Sequence, residues 1–130
     1  PLPPMQQSQL AIILLAHGSR DPLWRRPIEA VAARIQTDQP RLLVRCAYLE
    51  LCAPDLAGAV AELATLGATQ ITIASLFLGA GRHVREDLPR MVQDLAHNFG
   101  HLQLRLQPPI GEDARMTALM ADIASQSIAS

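Results

Sequence analysis

His17 and His83 each follow an apolar run and stand beside glycine and arginine, in AIILLAHGSR (residues 11–20) and in ITIASLFLGAGRHVREDLP (residues 71–89). Imidazole ligates Fe, Co, Ni and Zn, and its pKa of about 6.5 suits proton transfer around neutrality. A single loop histidine is most simply a group that bonds a nearby carbonyl. Two of them, delivered by two segments of the same build, outweigh that reading and point to one shared site. The chain has no tight HxxxH or CxxC spacing, so a closed structural metal centre does not fit. A pair of imidazoles leaves coordination positions open, as transient handling of a metal requires.

Other groups belong near the same place. Glu50 ends the segment LLVRCAYLE and is a candidate third ligand or proton acceptor, with a solvated edge glutamate as the equally weighted alternative. Arg20, Arg25, Arg26, Arg82 and Arg85 flank the two histidine segments, five of the 11 basic residues. Such a rim suits a polycarboxylate, because guanidinium binds carboxylate in two-point geometry. Arg20 and Arg82 lie in the loops themselves, and one of Arg25 and Arg26 reads as an ordinary surface charge. Ser19 shares the first loop and joins the substrate-binding set, as do Gly79, Gly81 and Arg85. Gly79-Ala80-Gly81 resembles the start of a dinucleotide loop, but Val84 stands where the third glycine belongs, and that reading is discounted. Cys46 and Cys52 read as packing residues. His97 and His101 fall at the opposite, amino-end turn and read as surface.

The elements that must position these groups follow from hydrophobic periodicity. Leu10–Ala16 is a continuous apolar run, expected as a central parallel strand buried on both faces. Asp21-Pro22 signals a helix start, and Ile28, Val31, Ala32 and Ile35 share one helical face. Leu42–Glu50 is a mixed strand placed toward an edge. Pro54-Asp55 opens a helix carrying Leu56, Val60 and Leu63, with Gly67 as its left-handed cap. Gln70–Leu78 is the third strand, and Gly79–Val84 its loop. Leu88, Met91, Val92 and Leu95 form the next stripe, with Asp87 and Pro89 near its first turn. His101–Gln107 alternates as a half-exposed edge strand. Glu112–Ile128 is a last helix expected to turn Met116, Leu119, Met120 and Ile123 inward. Four β-α units imply a mostly parallel sheet with helices on both faces. If the first and third strands are neighbours, His17 and His83 share one edge, where open α/β sheets bind ligands.

Bulk properties narrow the function. The 130 residues suit one domain, and 49% apolar content supports a real core. With 11 basic against 12 acidic residues, there is no general attraction to nucleic acid or membrane surface. Every basic residue is arginine; the absence of lysine removes Schiff-base chemistry and a P-loop lysine. An aromatic content of 3% argues against base-stacking platforms. Two cysteines are too few for a disulfide scaffold, and the apolar runs are far short of a membrane span. Residues 1–9, PLPPMQQSQ, lack a signal sequence's basic start and apolar core, and are expected to be a disordered leader before a domain at 10–130, with Met5 a candidate start. The cytoplasm is the expected compartment.

LLAHGSRDP, YLELCAPDL and SLFLGAGRHVREDLP together resemble the short sirohydrochlorin chelatases of the class II chelatase superfamily, over about Ile12–Ile123. The joint presence of HGSR and FLGxGxHVxxDLP at this separation is specific. The resemblance implies a single chelatase-like α/β domain, doubly wound and flavodoxin-like. It implies insertion of a divalent metal into sirohydrochlorin, a tetrapyrrole with eight carboxylates. Co²⁺ or Fe²⁺, or else Ni²⁺, would be a substrate, with no permanently bound cofactor. It also implies a homodimer in which two small subunits mimic the halves of larger enzymes. The family's paired metal-binding histidines fall on His17 and His83. On this reading the Gly79–Gly81 loop gives clearance to a flat macrocycle, and imidazole, aided by Glu50, accepts the pyrrole protons. The rival readings are a non-catalytic metal or tetrapyrrole carrier, a histidine-nucleophile phosphatase, disfavoured because Ala16 rather than arginine precedes His17, and a flavodoxin-like regulatory module, which should carry an acidic cluster or phosphate loop after the first strand.

Overall fold

The computed structural model of the chain describes residues 9–129. The expected leader lies outside the described residues, apart from Gln9, which opens the first strand. In order the elements are β1 (Gln9–Ala16), α1 (Arg26–Asp38), β2 (Leu43–Tyr48), α2 (Leu56–Thr65), β3 (Ala68–Ser75), α3 (Arg82–Asn98), β4 (Gln103–Leu106) and α4 (Ala114–Ala129). The four strands lie in the order β2-β1-β3-β4, and every pairing is parallel. β1 sits between two neighbours, as its uninterrupted apolar run requires, with Ile13 and Leu15 fully buried. Each such side chain contributes about 1.5–3 kcal/mol through burial. β2 and β4 are the edges, as their mixed and alternating patterns anticipate.

The main core fills one face. Leu56, Val60 and Leu63 of α2, with Leu88, Val92 and Leu95 of α3, pack on Ile13, Leu15, Ile71 and Ile73. A smaller cluster of Leu14, Val44 and Ala74 lies on the other face, where Ala32 and Ile35 of α1 cover it. Helices therefore occupy both faces of a doubly wound sheet. After β2 the chain crosses back beyond β1, so the winding direction reverses between β1 and β3. Ligands of open α/β sheets bind outside the carboxyl ends of the strands at this switch point.

Five expectations need correction. Asp21 accepts the Leu23 amide at 2.9 Å, but it caps a short 3-10 turn at Pro22–Arg25, and α1 begins only at Arg26. The strand expected over Gln70–Leu78 ends at Ser75, and Leu76–Leu78 leave the sheet. α3 starts at Arg82, so Pro89 lies inside the helix rather than in its first turn. Having no N–H, Pro89 leaves the carbonyl of Arg85 without its usual helical bond. Gly81 acts as the N-cap, in extended geometry, and Arg82, Arg85 and Glu86 are good helix formers in the turn that follows it. Finally, α4 does not turn its stripe inward: Leu119 and Ile123 are 51% and 62% exposed. The β4 residues facing away from α3, Gln103 and Arg105, are polar and exposed, so that part of the sheet offers α4 no apolar bed. Met91 and Val31, counted on helical core faces, also lie exposed.

Candidate active site

His17 directly follows β1. The ladder to β2 continues past both strands: Leu49 donates to the Ala16 carbonyl and Glu50 to the His17 carbonyl, each at 3.0 Å. Gly18 then turns at φ +113°, a conformation that L side chains rarely adopt. A β-carbon there would collide with the carbonyl oxygen of Glu50. A glycine here permits both a sharp turn and close approach by another group, and the group that approaches is the chain's own backbone. Glu50 itself is exposed and touches the site through its main chain, and Leu51 after it holds a left-handed φ of 68°.

The loop after β3 reaches the same place from the neighbouring strand. Leu76 donates to the Leu15 carbonyl at 2.8 Å, which fixes the loop's departure beside β1. Phe77 then turns into the core, 3% exposed, and its ring lies against the His17 imidazole with centroids 4.5 Å apart and planes 39° apart. The carbonyl of Phe77 accepts the amide of Gly111 at 3.0 Å. A β-carbon on Gly111 would strike the carbonyls of Phe77 and Leu78. The turn after β4 therefore holds the loop that holds the His17 ring. Sequence reasoning missed both residues. Phe77 was counted as part of β3, and Gly111 has no local signal, since its constraint comes from a segment more than thirty residues away.

His83 lies in the first turn of α3 and is exposed, as is His17. His17 thus directly follows β1, and His83 follows the neighbouring β3 after a six-residue loop, 76–81. Among the described residues, no group of three or more His, Cys, Asp or Glu side chains gathers closely enough to hold a metal ion. Glu50 therefore does not complete a three-ligand cluster with them within this chain.

The rim is uneven. Arg82 pairs with Glu86 at 3.1 Å on the helix surface, while Arg20 and Arg85 form no ion pair among the described residues. Arg25 is half-buried, and its Nε is enclosed without a hydrogen-bond partner. Ser19 Oγ accepts the Asp21 amide at 3.1 Å, shaping the first loop. Neither Gly79 nor Gly81 holds a positive φ, and a β-carbon on either would meet nothing within 4 Å. Internal packing does not require glycine at either position. Cys46 packs beside the smaller core cluster, and burial, then the Glu29 carboxylate, push its thiol pKa up, which suits packing better than metal ligation.

An all-parallel sheet with convergent polar loops at its switch point defines a ligand-handling α/β domain. The family described as CbiX matches residues 11–127, and the chain belongs to that family. A cobalamin (vitamin B12) biosynthesis CbiX protein from Marinobacter aquaeolei VT8 superposes with a TM-score of 0.79 at 35% identity, over 92% of this chain and 97% of that one. The sirohydrochlorin cobaltochelatase of Methanopyrus kandleri is 32% identical over 83 residues, 64% of this chain and 58% of that protein's length. The chloroplastic sirohydrochlorin ferrochelatase of Arabidopsis thaliana is 27% identical over 100 residues, 77% of this chain and 44% of that protein.

Proposed function

We propose that this chain inserts a divalent metal, Co²⁺ or Fe²⁺, into sirohydrochlorin. The observation that carries the reading is that His17 follows β1 and the loop and helix start bearing His83 follow the adjacent β3, both at the switch point. The named activities of the Methanopyrus and Arabidopsis relatives supply the substrate class. The Marinobacter relative's association with cobalamin favours cobalt as the first metal to assay.

In this reading the macrocycle lies over the carboxyl edge of the sheet. Gly79 and Gly81 keep the loop low beneath it, which accounts for glycines that no internal contact demands. Carboxylates pair with Arg20 and Arg85, each two-point pair adding about 1.5–3 kcal/mol in a sheltered setting. Arg82 can join them, because its exposed pair with Glu86 is worth only ~0.3–0.5 kcal/mol and gives way to a better anion. The two imidazoles hold M²⁺ while its remaining positions keep exchangeable water. Insertion displaces two pyrrole N–H protons; each imidazole can take one as the metal leaves its nitrogen for the ring, with exposed Glu50, bonded to His17 through the backbone, as a further acceptor. Weak ligation by two groups lets the metal leave with the product.

A homodimer completes the reading. Among the described residues, Leu119 and Ile123 of the α4 stripe lie exposed and Met116 and Met120 are only half-buried. A second copy covers it. A cytoplasmic location suits the two free thiols, Cys46 and Cys52. No described helix is long and apolar enough to cross a membrane.

The test is anaerobic absorbance of sirohydrochlorin with Co²⁺ or Fe²⁺, with and without protein. Metal insertion should accelerate with wild type and be abolished by His83→Ala, while tetrapyrrole binding survives. Stoichiometric binding without turnover would make the protein a carrier instead. A normal insertion rate in His83→Ala would remove the histidine from the mechanism.

A further inference from the structure

A second feature opens beside the histidines. A cavity of about 360 Å³ lies between the carboxyl ends of β3 and β4, the start of α3 and the turn after β4. Its walls are mainly apolar, with Phe77, Val84, Leu88 and Leu106 among them. Neither His17 nor His83 lines it, but Phe77 belongs to both places: one part of its environment is the cavity, and another is the His17 ring. Two opposite charges line the same space, Arg85 from α3 and Glu112 from the turn, and they do not close into an ion pair. Ser75, 1% exposed and the one polar residue among the buried ones described, also faces it.

We propose that this cavity is an edge-anchoring subsite, which takes one carboxylate-bearing arm of the tetrapyrrole and so fixes the macrocycle's rotation over His17. The inference rests on the chelatase reading and deepens it. Size decides what enters. Ligand pockets run from roughly 300 to 1,000 Å³, and this one stands at the low end. It holds an arm and the adjoining pyrrole edge, and the rest of the ring must stay outside. Apolar walls accept the methylene stem, and Arg85 receives the carboxylate in two-point geometry. Ser75, buried at the cavity wall, supplies a hydroxyl that can donate to the arm. Glu112 has the opposite effect: it repels a second carboxylate, so one arm enters and not two. Because Phe77 is a wall of the subsite and packs on the imidazole, seating the arm sets the ring's position relative to the metal-holding side chain.

The charges make the test two-sided. Equilibrium binding and steady-state insertion are measured for wild type, Arg85→Gln and Glu112→Gln, using sirohydrochlorin and its fully methyl-esterified form. Far-ultraviolet circular dichroism checks that each variant is folded. Arg85→Gln should raise KM for sirohydrochlorin about tenfold with kcat and Co²⁺ affinity unchanged. Glu112→Gln should lower it two- to fivefold. The ester should bind wild type and Arg85→Gln alike. Unchanged KM in Arg85→Gln, or an equal loss with the ester, overturns the subsite while leaving the chelatase reading intact. Arg85-dependent binding with no metal insertion by wild type does the reverse.

Discussion

Gly18 is in direct backbone contact with Glu50: the space where its β-carbon would stand is filled by the Glu50 carbonyl oxygen, and the Glu50 amide bonds the carbonyl of His17. The glycine beside the first histidine thus serves the junction of two loops, and the position of His17 depends on it. Gly18→Ala faces both a collision and a φ of +113°. We expect a loss of about 2–4 kcal/mol in urea denaturation, from left-handed strain and overpacking together. A loss below about 0.5 kcal/mol, the scatter of neutral surface changes, would refute the junction.

Gly111 and Gly79 should behave oppositely. Gly111→Ala drives a methyl group into the carbonyls that carry Phe77 and Leu78, so it should displace the ring packed on His17. Metal affinity should fall at least tenfold, read by anaerobic Co²⁺ titration. Gly79→Ala meets no protein atom within 4 Å and should leave stability and Co²⁺ affinity unchanged while weakening tetrapyrrole binding. If Gly79→Ala binds the tetrapyrrole normally, the macrocycle does not pass over that glycine.

The α4 stripe should carry the self-association. Leu119→Asp with Ile123→Asp adds two charges to side chains that are 51% and 62% exposed in the isolated chain. Sedimentation velocity should show a dimer for wild type and a monomer for the double variant, whose thermal stability falls below the dimer's. A variant that remains dimeric places the interface elsewhere.

Tyr48 gives a pH signature. Burial first, then the neighbouring Cys46, Cys52 and Glu29, push its pKa from 10 to about 12, with Arg25 opposing. Below pH 10 both the folded and unfolded chains keep the phenolic proton, and the stability is fully present. Between pH 10 and 12 the unfolded chain releases it while the folded chain retains it, so stability is lost as pH rises. Tyr48→Phe should flatten that part of the curve of urea midpoint against pH. Parallel curves for the two proteins would show that Tyr48 is not the group responsible.

Much of the architecture was legible because its causes are local. Ile12 to Ala16, apolar at every position, and Ile71 to Ala74, apolar but for Thr72, read as buried strands because near-continuous apolar runs suit a sheet covered on both faces. Gln103, Arg105 and their leucine neighbours read as an edge because one face stays wet. His17 and His83 could be placed at one sheet end for the same reason, once two runs of this kind were taken as neighbours. The start of α3 was less legible, since Pro89 normally marks a first helical turn, and here Gly81 caps the helix two turns earlier.

The sequence by itself determined the layer pattern, the edge and central strands, and the sheet end at which the segments after the first and third strands leave, because periodicity and chain direction are properties of each segment alone. The tertiary structure decided the rest: that Gly18 yields space to Glu50, that Gly111 holds Phe77 against His17, and that α4 faces outward. Those outcomes depend on which atoms of distant segments compete for one volume, and no local pattern of residues records that competition.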